Sequence, residues 1–116
     1  MVNPIVRIDT RRITDWDSFH SVFAELLGFP DFYGRNMNAW IDCLTSIDEP
    51  GDRMTSVHAP PNGVLVLQLE HVDDFATRCP EHYSAIIECA GFVNWRRIEV
   101  GEEPVLALSY RKSASQ

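Results

Sequence analysis

Apolar and polar residues follow one another along the chain with the periods of strands and helices in turn. The segment 4–9 is short, rich in β-branched residues and bounded by polar ones, which is typical of a strand. The segment 15–27 keeps a helical spacing of apolar residues: Trp16, Phe19, Val22, Phe23, Leu26 and Leu27. Thr14 is the expected N-terminal cap of this helix, and Gly28 is its expected C-terminal stop. The chain is therefore predicted to open with a strand and an amphipathic helix.

A second, shorter helix is predicted after the loop at 28–34. Pro30 and Gly34 bracket this loop, since proline fixes φ and glycine accepts backbone angles that other residues resist, so the helix should begin near position 35 or 36. Its apolar residues recur at i, i+3, i+4 and i+7: Met37, Trp40, Ile41 and Leu44. An adjoining face collects polar residues: Arg35, Asn38, Asp42 and Thr45. The apolar stripe is expected to hold the helix to the core while the polar face stays open to a partner.

Two apolar runs of strand length lie in the second half of the chain, at 64–69 and 105–110. The first is nearly unbroken, which is expected of a central strand with most of both faces covered. The segment 46–63 before it shows no periodicity and is rich in proline, glycine and aspartate, which is typical of a surface loop.

Helices are predicted between these two runs. Asp73 and Asp74 are expected to cap a short helical turn that ends at Arg78, and a last helix is expected to begin at Pro80. The segment 94–103 fits either a short strand or a loop.

The order of elements, β-α-α-β-α-α-β, indicates an α/β fold. Strands separated by helices pair in parallel through right-handed crossovers, which predicts a small three-stranded parallel sheet with the helices packed as a layer against it. With 116 residues, 45% of them hydrophobic, the chain is long enough for a core and too short for two domains of ordinary size. Residues 1–116 are therefore expected to form a single domain.

Composition narrows the classes of function. The chain carries 17 acidic and 10 basic residues, a net charge of -7, which argues against a nucleic-acid partner and favours a basic protein partner or none. Its three cysteines form no C-x-x-C pair, which favours the reducing cytoplasm over a disulfide framework. We expect no export signal and no membrane span, because no stretch approaches ~18 consecutive apolar residues. Histidine spacing suggests no metal site, and the absence of a cofactor or catalytic motif argues against an enzyme.

The run from 32 to 45 is the most distinctive part of the chain, and it reads FYGRNMNAWIDCLT. It resembles the signature of the barstar family, the small intracellular inhibitors of barnase-type bacterial ribonucleases. The order of elements elsewhere also agrees, so the resemblance covers most of the chain and implies a barstar-like fold. In that family the second helix and the loop before it enter the ribonuclease active site, where inhibitor carboxylates take the place of substrate phosphates.

Carried over position by position, the resemblance implies a partner-binding set: Phe32, Gly34, Asn36, Asn38, Ala39, Asp42, Thr45 and Glu88. Asp42 would be the principal anion. Three positions depart from the family pattern. Asn38 stands where the pattern has an aspartate, Arg35 adds a positive charge that would repel a basic active site, and Cys89 follows Glu88 where the family's last helix carries further acids.

Three hypotheses about function remain at this point. The first is a bacterial, cytoplasmic protein of toxin immunity, monomeric or weakly self-associating, that inhibits a barnase-type ribonuclease or a related toxin. The second is an interaction module of the same fold without ribonuclease inhibition, used for a regulatory partner or for self-association. The third is a small enzyme that uses Cys43 or the Glu70-His71 pair, although Cys43 has no base at helical spacing and fits better as a buried filler.

Overall fold

The computed structural model describes residues 3–114. Within them, three strands form one parallel sheet in the order β1 (Ile5–Asp9), β2 (Leu65–Glu70) and β3 (Leu106–Tyr110). Four α-helices accompany the sheet: α1 (Trp16–Leu27), α2 (Met37–Thr45), α3 (Val72–Arg78) and α4 (Pro80–Glu99). The predicted α/β fold with a three-stranded parallel sheet is confirmed.

Strand β2 lies at the centre of the sheet, as its apolar run predicts. Leu67 pairs with Val6 of β1 on one side and with Leu108 of β3 on the other. Alternate side chains of β2 are fully buried: Leu65, Leu67 and Leu69. The residues between them, such as Val66 and Gln68, are only partly buried. The expectation that most of both faces is covered is met fully on one face of β2 and in part on the other.

The N-terminal cap of α1 is Asp15, and the expectation of Thr14 was wrong by one residue. The Asp15 carboxylate accepts a hydrogen bond from the Ser18 backbone N–H at 2.8 Å, and the Ser18 hydroxyl accepts one from the Asp15 backbone N–H at 3.0 Å. This reciprocal pair satisfies two donors that the first turn leaves open, and aspartate is a stronger N-cap than threonine.

Gly28 ends α1 as predicted, in a left-handed conformation with φ +67°. A Cβ atom at this position would lie 1.9 Å from the Ser56 hydroxyl oxygen. The Ser56 backbone N–H also donates to the Leu27 carbonyl at 2.8 Å. Glycine is thus required both by the backbone angle and by the loop 46–63, which crosses the end of the helix here.

Residues 94–99 of the segment that the sequence left open between a strand and a loop are helical, because α4 continues to Glu99, and residues 100–103 form a turn and a loop. Arg97 lies on the buried side of this extension and is only 5% exposed. Its guanidinium is paired with the Asp48 carboxylate at 2.7 Å. A charged residue on the core side interrupts the apolar spacing, so the pattern concealed the last turns of the helix.

The acids at the start of α3 do not cap it. His71 occupies the cap position in a left-handed conformation, with φ +56° and no side-chain hydrogen bond to the helix. The Asp73 carboxylate instead accepts from the Ser113 backbone N–H at 2.8 Å, and Asp74 pairs with Arg78 at 2.7 Å. No helix in the described part of the chain is both long and apolar enough to cross a lipid bilayer.

Candidate protein-binding site

Helix α2 is held by its apolar stripe and turns its polar row outward. Trp40 and Leu44 are fully buried, and Ile41 is 8% exposed. Asn38 and Asp42, four residues apart on the opposite side, are exposed. The helix packs against α4. The arrangement predicted from residue spacing is therefore present, and we call the exposed row of α2 together with the preceding loop 30–36 the α2 surface.

Asn36 is the N-terminal cap of α2. Its side-chain oxygen accepts from the Ala39 backbone N–H at 2.8 Å, and its side-chain nitrogen donates to the Gly34 carbonyl at 3.2 Å. A Cβ atom at Gly34 would lie 3.3 Å from that nitrogen and 3.5 Å from the Ala39 Cβ atom. Asn36 therefore fixes the start of the helix, and Gly34 leaves room for it to do so.

Arg35 lies before the helix and folds back onto α1, so it does not belong to the polar row of α2. Its guanidinium donates to the Asp17 carboxylate at 2.7 Å, to the Asp17 carbonyl at 2.8 Å and to the Ser21 hydroxyl at 3.0 Å. The left-handed backbone angle of this loop also falls on Arg35, with φ +53°, and not on Gly34. Few residues other than glycine adopt this conformation, and the three bonds to α1 stabilise it here.

Tyr33 is the second anchor of the loop. Its hydroxyl lies 2.6 Å from Nδ1 of His20, a residue of α1 that is 4% exposed. Burial raises the pKa of Tyr33, and burial followed by the charge of Arg35 lowers the pKa of His20. Both shifts favour the neutral forms of these groups at neutral pH. Phe32, the residue before this anchor, is 76% exposed and projects from a fixed stretch of backbone.

The Asp42 carboxylate accepts a hydrogen bond from Nη1 of Arg96 at 2.9 Å. The Asp42 side chain remains 62% exposed and that of Arg96 41% exposed. Arg96 belongs to a row on α4 that repeats every four residues and also includes Phe92 and Glu88, with Glu88 about 12 Å away along the helix axis. An exposed pair of this kind stabilises a protein by at most about 1 kcal/mol, so a cation on a partner can share or replace Arg96 at small cost.

Two predicted members of the site use their polar side-chain groups in hydrogen bonds within the chain. The Thr45 hydroxyl donates to the Ile41 carbonyl at 2.7 Å, and the Asn36 side chain is occupied as the helix cap. Ala39 is partly buried. The side-chain groups of the predicted set that remain open to a partner are thus the ring of Phe32, the amide of Asn38, the outer side of the Asp42 carboxylate and the carboxylate of Glu88.

Comparison with known proteins decides the family. A family model described as "Barstar (barnase inhibitor)" matches residues 3–105. The chain belongs to the barstar family. A similar protein is the "Putative ribonuclease inhibitor YrdF" of Bacillus subtilis (strain 168), which is 43% identical over 44 residues, or 37% of this chain and 48% of that protein. The chain thus spans about half the length of this curated relative.

Membership of the barstar family, whose members are inhibitors and not enzymes, confirms the expectation that the chain is not an enzyme. The structure also describes the two candidates for catalysis, Cys43 and the Glu70-His71 pair. Cys43 is 2% exposed, and burial together with the charge of Asp42 raises its pKa to about 11, so its reactive thiolate form is scarce at neutral pH. His71 Nδ1 lies 3.2 Å from the Ser113 hydroxyl at the end of the sheet. No group of three or more potential metal ligands is found among residues 3–114.

Arg96, which lies on α4 beside the α2 surface, is the residue that sequence reasoning missed. Positions 42 and 96 are 54 residues apart, and no periodicity connects them. The family pattern from 32 to 45 does not extend to α4. The only signal in the sequence was the pair of adjacent arginines, Arg96 and Arg97, that follows a largely apolar stretch of the last helix.

Proposed function

We propose that this chain inhibits a basic ribonuclease, of the barnase type or a related toxin, by presenting the α2 surface to the partner's active site. The observation that carries the proposal is the state of Asp42, which is exposed on a fixed helix and whose carboxylate already binds a guanidinium. Active sites that bind RNA phosphates are lined by cations, and a carboxylate accepts the same charge-assisted hydrogen bonds without being cleaved.

The loop before α2 adds an apolar contact to this anion. Phe32 is 76% exposed, yet the backbone around it is fixed by the bonds of Tyr33 to His20 and of Arg35 to Asp17. An exposed aromatic ring on a rigid loop can bury a large area on binding and loses little conformational entropy. The net charge of -7 would accelerate the encounter with a basic partner. This function fits the cytoplasm of a bacterium that produces the toxin.

Asn38 determines which active sites the surface suits. Asparagine accepts a hydrogen bond but offers no charge, and Glu88 is the nearest further acid in the predicted set. The surface therefore offers one full carboxylate on α2 where the family pattern has two. We expect the natural partner to be a ribonuclease whose cation cluster is served by that one carboxylate and by a neutral acceptor.

RNA cleavage by a barnase-type ribonuclease, titrated with the purified chain, tests the proposal. We expect stoichiometric inhibition that is weakened in Asp42→Asn by about 2 to 5 kcal/mol, a range taken from charge pairs at protein interfaces in general, that of barnase with barstar included. Asp52→Asn is the matched control, because it removes the same charge from an exposed turn at Pro50–Asp52. Equal inhibition by Asp42→Asn and by the unchanged chain would contradict the role of Asp42.

A second candidate function is an interaction module without ribonuclease inhibition. It is favoured by the uncharged Asn38 at a position where the family pattern has an aspartate. The same titration separates the two functions. Absence of inhibition at micromolar concentrations of a folded chain would contradict inhibition of a barnase-type ribonuclease and favour this second function.

A further inference from the structure

The side of α4 that faces away from the core carries an apolar surface. Ile87 is 37% exposed, Trp95 55% and Ile98 47%, and Gly91 lies between them. At 100° per residue these four positions fall within an arc of about 80°. We call them the α4 outer face. These exposures are the ones that remain within a single chain over residues 3–114. Phe92, which is 50% exposed, borders the α4 outer face.

Gly91 is unexplained by the packing of a single chain. A Cβ atom built at this position meets no atom within 4 Å. Glycine is the least favourable residue for a helix interior after proline, so alanine would serve the isolated helix better. The distance at which two helices pack depends on the side chains at their contact, and a glycine permits a closer approach than any other residue. The benefit of Gly91 is therefore to be sought outside the single chain.

We infer that a second copy of this chain covers the α4 outer face, in a two-fold dimer whose α4 helices cross antiparallel at Gly91. Symmetry requires that the same patch serve both copies, so that positions equally far before and after the crossing point meet. Ile87 and Trp95 lie four residues before and four after Gly91. Ile87 of one copy would therefore lie against Trp95 of the other, twice, with the two glycines between them. The apolar row is thus complementary to itself.

The size of the patch predicts a weak dimer. The exposed parts of its apolar side chains, with that of Phe92 beside them, amount to on the order of 450 Å² per copy and 900 Å² per pair, just below the roughly 1,000 Å² expected of a specific interface. Repulsion between two chains of net charge -7 opposes association. Salt screens that repulsion, so the dimer should strengthen as the salt concentration rises. A contact carried by ion pairs would weaken instead.

Sedimentation equilibrium of the full chain, from the low to the high micromolar range and at low and high salt, tests the inference. We expect a dimer with a micromolar dissociation constant. Trp95→Glu should raise that constant at least about thirtyfold, because it truncates a central aromatic residue and introduces a charge. Ile5→Glu is the matched control: it introduces the same charge at an apolar residue that is 57% exposed and lies outside the α4 outer face. Circular dichroism verifies that each variant is folded.

Gly91→Ala is a second, independent test, because it should change the stability of the monomer and the affinity of the dimer in opposite directions. The thermal midpoint of the monomer should rise, since alanine favours the helix and its Cβ meets no neighbour, while the dimer should weaken because the helices are held apart. A chain that stays monomeric at every concentration would overturn the inference, as would a dimer that survives Trp95→Glu. So would a monomer that binds a barnase-type ribonuclease through Trp95. None of these results depends on whether Asp42 inhibits a ribonuclease.

Discussion

Loss of the contact between Arg97 and Asp48 is expected to loosen the C-terminal end of the α2 surface. The Arg97 side chain is 6% exposed. Its guanidinium donates to both carboxylate oxygens of Asp48, at 3.0 and 2.7 Å, and to the carbonyls of Thr45 at 3.0 Å and Glu103 at 2.7 Å. Since Thr45 is the last residue of α2, this network ties the end of that helix to α4. Asp48→Ala removes the only carboxylate within 3 Å of the buried charge in the described part of the chain.

The expected loss of stability in Asp48→Ala depends on the contacts that Arg97 retains. Removing one partner of a fully buried ion pair typically costs about 3 to 5 kcal/mol, because the other charge is left without compensation. Here the two carbonyl bonds remain, the Glu102 carboxylate lies at 3.8 Å, and the Asp48 side chain is 22% exposed, so water can enter. We therefore expect Asp48→Ala to lower the free energy of unfolding by about 2 to 3 kcal/mol. Domains of this size have only about 5 to 15 kcal/mol in total.

Urea unfolding followed by tryptophan fluorescence measures this loss. Asp52→Ala is the control, because it removes an exposed acid from the same loop and is expected to change the free energy by less than about 0.5 kcal/mol. The double variant Asp48→Ala with Arg97→Met removes both charges and should recover part of the loss. A loss below about 1 kcal/mol for Asp48→Ala, or a double variant that is no more stable than Asp48→Ala, would refute the reasoning.

Three other perturbations address the remaining contacts of the site. Asn36→Ala should lower the free energy of unfolding in urea by about 1 kcal/mol through loss of the α2 cap, whereas Asn36→Asp keeps the capping oxygen, loses only the bond to the Gly34 carbonyl and should lower it less; an equal loss in both would contradict a capping role. Arg96→Ala frees Asp42 and should strengthen binding to a barnase-type ribonuclease by up to about fivefold in isothermal titration calorimetry; weaker binding would mean that Arg96 itself contacts the partner. Burial lowers the pKa of His20, so the folded state binds a proton less readily than the unfolded state. The contribution of neutral His20 to the free energy of unfolding is therefore complete above about pH 6.5 and is lost as the pH falls through the lowered pKa. Urea titrations against pH should show a shallower decline in His20→Gln, and an unchanged decline would assign it to other groups.

The sequence alone determined the elements of this protein whose residues repeat within one helix or one strand. The stripe of α2, with Trp40 and Leu44 inward and Asp42 outward, follows from a spacing of three and four residues and is found as predicted. The same holds for the central position of β2 and for the stop at Gly28. These features depend on contacts that every helix or strand of that pattern must make, so a local period is enough to predict them.

The tertiary structure alone decided which charged side chains meet. Arg35 with Asp17, Arg96 with Asp42 and Arg97 with Asp48 are pairs separated by 18, 54 and 49 residues. No period links such positions, and an isolated charged residue is by default expected at the surface. Arg97 shows the consequence most clearly, because its burial depends on a carboxylate delivered by another segment, and that same burial concealed the end of α4 from the pattern. Spacing therefore determines which side of an element is buried, whereas the path of the whole chain determines which charges lie close enough to neutralise each other.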